Sequence, residues 1–134
     1  DGADLEPQID ARTVVVAARG AAAGLGRLLG ADVRVPEGAT GDVDTDLESK
    51  VRAALGALSE GVDVVVHVGG ADEAAHRLDP AGRRAFLEEV DGRLLAPLAA
   101  AGVSLQVTAD HATCAVTGRH DAGAVACLTV GAPA

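Results

Sequence analysis

Aromatic side chains are almost missing from this chain. Phe86 is the only one among 134 residues, and there is no Met, Trp or Tyr. A core without large or flexible fillers must be built from Ala, Val and Leu, which favours close packing of helices on a sheet. Cysteine is nearly as scarce. Cys114 and Cys127 make neither a disulfide framework nor a CxxC metal knuckle, so they read as ordinary thiols of a reducing compartment. No apolar run approaches the roughly 18 residues that span a bilayer. The acidic start, "DGADLEPQIDA", has nothing of a signal peptide. A cytoplasmic chain with no membrane partner is the expectation. Basic residues are also in deficit, 11 Lys and Arg against 20 Asp and Glu, for a formal charge of −9. Such a field repels a phosphate backbone, and nucleic acid is not expected as a partner. The carboxylate surplus would be at home around a cation, although most of it serves to keep the surface solvated.

What is abundant is glycine, 17 residues in a short chain, which implies many tight turns. The length allows one domain. Residues 1–11 are polar and broken by Pro7, as in a linker or ragged start, and residues 12–134 carry the domain. "RTVVVAA" reads as a strand, "RGAAAGLGRLLG" as a helix ending at Gly30, and "ADVRV" as the next strand. "PEGATGDVD" is a loop by composition. Thr45 and Glu48 form a capping-box pair that opens a helix to about Glu60, with Leu47, Val51, Ala54, Leu55 and Leu58 on one face. Val62–Val68 is a strand. Asp79 and Pro80 start a helix that runs to about Gly102 and bends near Pro97. "VSLQVTA" and "AVACLTV" are strands on either side of the loop "DHATCAVTGRHDAG". Strands alternating with helices of this length argue for an α/β fold with a largely parallel sheet covered on both faces.

In open α/β sheets, ligands gather beyond the carboxyl ends of the strands. Asp72 and His76 follow the end of the Val62–Val68 strand, and Asp110 and His111 follow the end of Val103–Ala109. His120 comes shortly after. Asp72 and His76, four apart, share a face if that turn is helical, so both can reach one ion. Asp110 and His111, being adjacent, should point different ways and bridge two ions. Mixed imidazole and carboxylate donors fit Mn²⁺ or Zn²⁺, whereas Cu(I) would want sulfur. His67, within its strand, reads as a core or sheet-end histidine. "RGAAAGLG" is neither a dinucleotide fingerprint nor a P-loop, and close packing of helix on sheet is its better reading. Thr40 and Thr113 lie near the expected crevice, and nothing in their surroundings marks either as activated.

"PEGATGDVDTDLESK", "HVGGADEAAH" and "TADHAT…GRH" occur in that order. Together they resemble the archaeal-type cofactor-independent phosphoglycerate mutases of the alkaline phosphatase superfamily, over about Arg12 to Val130. The resemblance implies a three-layer α/β/α sandwich, here incomplete, corresponding to the C-terminal portion of such an enzyme. It implies two divalent ions, Mn²⁺ first, with Zn²⁺ or Mg²⁺ as substitutes. Asp72, His76 and His120 match the ligands of one ion, and Asp110 and His111 match ligands of the other. The reaction implied is interconversion of 2- and 3-phosphoglycerate, a step of glycolysis, through a phosphoserine, with a small phosphorylated metabolite as partner. The family's nucleophilic serine and a further Asp ligand belong to an N-terminal segment outside these 134 residues, so the chain alone should lack turnover. Ala23, Ala75 and Cys114 stand where the family usually has a basic residue, Gly and Pro. A degenerate non-catalytic metal-binding or interaction domain remains an alternative, as does a phosphatase or phosphopentomutase of the same superfamily. A sheet lacking its neighbouring strands would also invite self-association.

Overall fold

A computed structural model describes residues 12–131. The linker expected over residues 1–11 lies outside the described residues. The chain gathers into two compact units that divide between Val68 and Gly69.

The first unit is a parallel sheet with helices. Strands β1 (Thr13–Val16), β2 (Asp32–Arg34) and β3 (Asp63–Val66) alternate with helices α1 (Ala21–Leu28) and α2 (Leu47–Leu58). The sheet order is β2-β1-β3, with both pairings parallel. The β-branched run of β1 takes the centre, and all four of its residues are buried. Alternation divides its side chains between two apolar layers. Val15 packs with Ala17, Ala23 and Ala31 on the α1 side. Val14 and Val16 pack with Ala57 on the α2 side. Helices therefore cover both faces, as the alternating pattern of elements predicted. The small-residue reading of "RGAAAGLG" also holds. A Cβ added at Gly26 would stand 3.0 Å from Val33 Cγ2 and 3.3 Å from Val15, so glycine is what lets α1 lie this close to the sheet.

Two details of this unit differ from expectation. The N-cap of α2 is Asp46, whose carboxylate accepts from the Ser49 amide at 2.9 Å. Thr45 does not cap; its hydroxyl accepts from the Thr40 amide at 3.0 Å and closes the preceding loop. The second surprise is Lys50, which is buried on the helix face that the apolar periodicity assigned to Leu and Ala. Its ammonium donates to the His67 carbonyl at 2.8 Å, just beyond β3. Burial lowers its pKa below the ordinary lysine value. His67 itself is exposed at the strand end rather than enclosed in the core.

The second unit begins with α3 (Gly70–His76) and α4 (Pro80–Val90). Asp79 caps α4 through the Gly82 amide at 2.8 Å, and Pro80 occupies the first turn, as predicted. Ahead of Pro97, where a bend was expected, the helix passes through a π-helical turn over Asp91–Leu95, followed by α5 (Ala96–Ala100). Proline has no amide to donate and its ring crowds the carbonyl four residues back, so the ladder widens just before it. Strand β4 (Leu105–Val107) pairs antiparallel with β7 (Leu128–Val130) rather than continuing a parallel ladder. Within the segment expected to be loop, β5 (Ala112–Thr113) and β6 (His120–Asp121) form a short antiparallel hairpin. Two-residue strands carry too little periodicity to stand out in a sequence. Among the described residues no helix is long and apolar enough to cross a membrane.

Candidate metal centre

The second unit brings an aspartate and two histidines together at α3 and the β5–β6 hairpin. Helix α3 places Asp72 and His76 one turn apart, and the carboxylate Oδ2 lies 3.3 Å from His76 Nε2. The turn after the Gly-Gly pair is thus helical, the condition on which their shared face depended. The hairpin contributes His120, whose Nε2 stands 3.0 Å from His76 Nε2 and 3.7 Å from Asp72 Oδ1. Gly118 makes this approach feasible. It holds a left-handed φ of +66°, and a Cβ there would lie 3.2 Å from Leu78 Cδ2 and 3.5 Å from the His76 carbonyl oxygen. The hairpin turn therefore rests directly on the end of α3. Leu78 itself adopts φ 58° as that helix ends, a conformation usually left to glycine.

Asp72, His76 and His120 are a group of three that could hold one metal ion, each offering a donor atom within 4.8 Å of the others. The spacings suit that task. Donors about 2.0–2.2 Å from one cation lie about 3.0–3.5 Å from each other in octahedral or tetrahedral shells. Two imidazole nitrogens at 3.0 Å can share only one proton, whereas a cation would satisfy both lone pairs at once.

His111 stacks on His120, with ring centroids 3.8 Å apart and planes at 27°. Asp110 and His111 do not diverge as predicted. Asp110 Oδ2 lies 3.6 Å from His111 Nε2, because the two residues occupy a bend between β4 and β5, where strand alternation does not apply. They form a second, more open pair of donors, with the Asp110 side chain 86% exposed.

Thr113 links the two groups. Its side chain is buried, and its hydroxyl lies 2.5 Å from Asp72 Oδ1 and 3.1 Å from His111 Nδ1. Its carbonyl accepts a short hydrogen bond from the Arg83 guanidinium of α4. Burial by itself would raise the Asp72 pKa. The Thr113 hydrogen bond and the nearby His76, His111 and His120 outweigh it, so the carboxyl is held below its ordinary value. Sequence reasoning placed Thr113 near the crevice and assigned it nothing. No local signal marked it, because His111 lies in a bend outside the strand and the other partner, Asp72, is 41 positions away.

Comparison with known proteins places the chain in a family of metalloenzymes. The Metalloenzyme superfamily profile matches residues 6–133. A 2,3-bisphosphoglycerate-independent phosphoglycerate mutase 1 from Archaeoglobus fulgidus is 45% identical over 105 residues, which is 76% of this chain and 26% of that protein. The corresponding protein of Methanothermobacter thermautotrophicus is 38% identical over 109 residues, 81% of this chain and 26% of its own length. The chain thus spans about a quarter of the length of these relatives. Among solved structures, the PH0037 protein of Pyrococcus horikoshii superposes with a TM-score of 0.78 at 30% identity, over 89% of this chain and 37% of that one. The α/β fold with a parallel sheet is therefore shared. Matched over nearly its whole length, the chain belongs to the Metalloenzyme superfamily.

Proposed function

We propose that this chain supplies the metal-binding portion of a phosphoglycerate mutase-type phosphotransferase. Asp72, His76 and His120 would hold one divalent ion, and Asp110 and His111 would contribute to a second. The observation that carries the reading is the facing of His76 Nε2 and His120 Nε2 across the Asp72 carboxylate. Mn²⁺ is the ion this reading favours, because it takes mixed imidazole and carboxylate donors, with Zn²⁺ or Mg²⁺ as substitutes. When bound, paired divalent cations lower the pKa of a coordinated hydroxyl and neutralise charge on a transferring phosphoryl group. The protein's own part is to orient the donors: α3 holds Asp72 and His76, Gly118 seats His120 against them, and Thr113 ties Asp72 to His111.

The substrate proposed is a small phosphorylated glycerate, on the strength of the relatives' activity, and the setting proposed is cytoplasmic. Among the described residues no serine hydrogen-bonds to these donors. Ser49 and Ser59 spend their hydroxyls on the Asp46 and Gly56 carbonyls, at 2.8 and 2.6 Å. The 134 residues alone are therefore expected to be inactive.

Calorimetric titration with Mn²⁺, combined with metal analysis of the purified chain, tests this. One ion should bind through the Asp72 group, with affinity lowered at least about 100-fold in His76→Ala. Asp110→Ala should weaken only a second, looser ion. A chain that takes up no divalent ion would favour the degenerate, non-catalytic alternative. Phosphoglycerate interconversion by the isolated chain at a rate typical of enzymes would sink the division of labour proposed here.

A further inference from the structure

The hydroxyl of Thr113 has more to do than fill space, and counting protons shows what. It touches two groups, Asp72 Oδ1 at 2.5 Å and His111 Nδ1 at 3.1 Å. A hydroxyl owns one proton and can accept others. Asp72 as a carboxylate only accepts. Two oxygens 2.5 Å apart with no hydrogen between them would repel, so the Thr113 proton lies on the line to Asp72. Toward His111, Thr113 can then only accept. The His111 proton must sit on Nδ1, and the neutral ring keeps its lone pair on Nε2. That nitrogen is the one beside Asp110, at 3.6 Å from Oδ2.

Accepting the metal-site reading above, we infer that Thr113 is a positioning residue that locks the Asp72 carboxylate and holds His111 in the Nδ1–H tautomer, so that Nε2 is presented as a ligand next to Asp110. The backbone fits this role. Thr113 is the register partner of His120 in the hairpin, and the Arg83 guanidinium grips its carbonyl. One residue thereby aligns donors from both halves of the centre: Asp72 through its proton, His111 through its lone pair, and His120 through the ladder. Groups of this kind, one bond removed from a metal, are worth about 10- to 100-fold in metal affinity.

The test reads the tautomer directly. Long-range ¹H–¹⁵N correlation spectra of histidine-labelled, metal-free protein should be recorded at about pH 8, where a free imidazole is neutral, with His111 assigned by the loss of its signals in His111→Gln. Wild type should show His111 protonated at Nδ1 and bare at Nε2. Thr113→Ser keeps the hydroxyl and should preserve both that signature and Zn²⁺ affinity within a few-fold. Thr113→Val removes the hydroxyl, should release the tautomer preference, and should weaken Zn²⁺ binding by about 10- to 100-fold. If Thr113→Val does not fold, the wild-type spectrum and Thr113→Ser still decide the matter. An Nε2–H His111 in a chain that still binds Zn²⁺ through Asp72, His76 and His120 overturns the positioning role alone. A serine variant that behaves like valine does the same. Failure of the wild type to bind Zn²⁺ at all overturns the underlying metal reading, and the inference with it.

Discussion

Asp72 shows how one side chain can be tuned by neighbours far away in sequence. Its carboxyl lies below its ordinary value because a hydroxyl from position 113 and imidazoles from positions 76, 111 and 120 favour the ionised form. A folded-state pKa below the unfolded one means that folding favours the carboxylate. The stabilisation is complete above the unfolded value, near 3.8, and is lost as pH falls through the folded value. In chelated protein, Asp72→Asn should therefore flatten the acid limb of stability below about pH 4 relative to wild type. The effect should be no more than about 1 kcal/mol, since solvent reaches the carboxylate. Urea denaturation at a series of pH values measures it, and an acid limb of equal slope in both proteins would contradict it. The residue types were legible in advance: D-x-x-x-H after one strand, D-H after another, and a following His. Their partners were not. The Thr113 bond spans 41 positions and the His76–His120 contact spans 44, and periodicity has no access to such separations.

At the scale of elements, α1 offers a clean comparison between intrinsic propensity and packing. Gly24 and Gly26 lie two residues apart in the same helix. Nothing comes within 4 Å of a Cβ added at Gly24, whereas one at Gly26 meets Val33 and Val15. Gly24→Ala should stabilise by up to about 1 kcal/mol, the helix-propensity difference. Gly26→Ala gains the same propensity but must push on a close-packed sheet, and should come out destabilised by about 1–3 kcal/mol. Thermal or chemical denaturation of the two variants side by side settles it; equal shifts would show that α1 does not pack against β1 and β2 as described. Elements with strong local signals were all foreseen, β1 and α2 among them, and so was the capped start of α4 at Asp79 and Pro80. The β5–β6 hairpin was not. Its strands are two residues each, and what holds them is Gly118 lying against the end of α3, a tertiary contact.

For the molecule as a whole, Lys50 is a built-in reporter. It is the only lysine in the sequence, and it is fully buried in the first unit. Amine-reactive reagents should label Lys50 only when that unit opens. The Lys50 labelling rate should then follow the population of the opened state, rising with denaturant in step with unfolding. Peptide mass spectrometry provides the count. Rapid labelling of Lys50 under native conditions would contradict its burial. A buried ammonium with a single carbonyl partner is costly, and the helical pattern of α2 concealed it, because a charged residue beside an apolar stripe reads as solvated.

What the sequence determined by itself was encoded within a few residues: the β-branched strands, the capped start of α4, the parallel α/β class, and a set of Asp and His residues whose order and spacing resemble one metalloenzyme family. What only the tertiary structure decided was where protons and donors meet. It turned Asp110 and His111 toward each other in a bend, set His120 on His76 through Gly118, and placed Thr113 between the two halves of the centre. The division has a physical cause. Strand and helix preferences arise from torsions and neighbouring side chains, whereas a ligand cluster depends on positions to within a few tenths of an ångström across some 40 intervening residues, and packing alone supplies that.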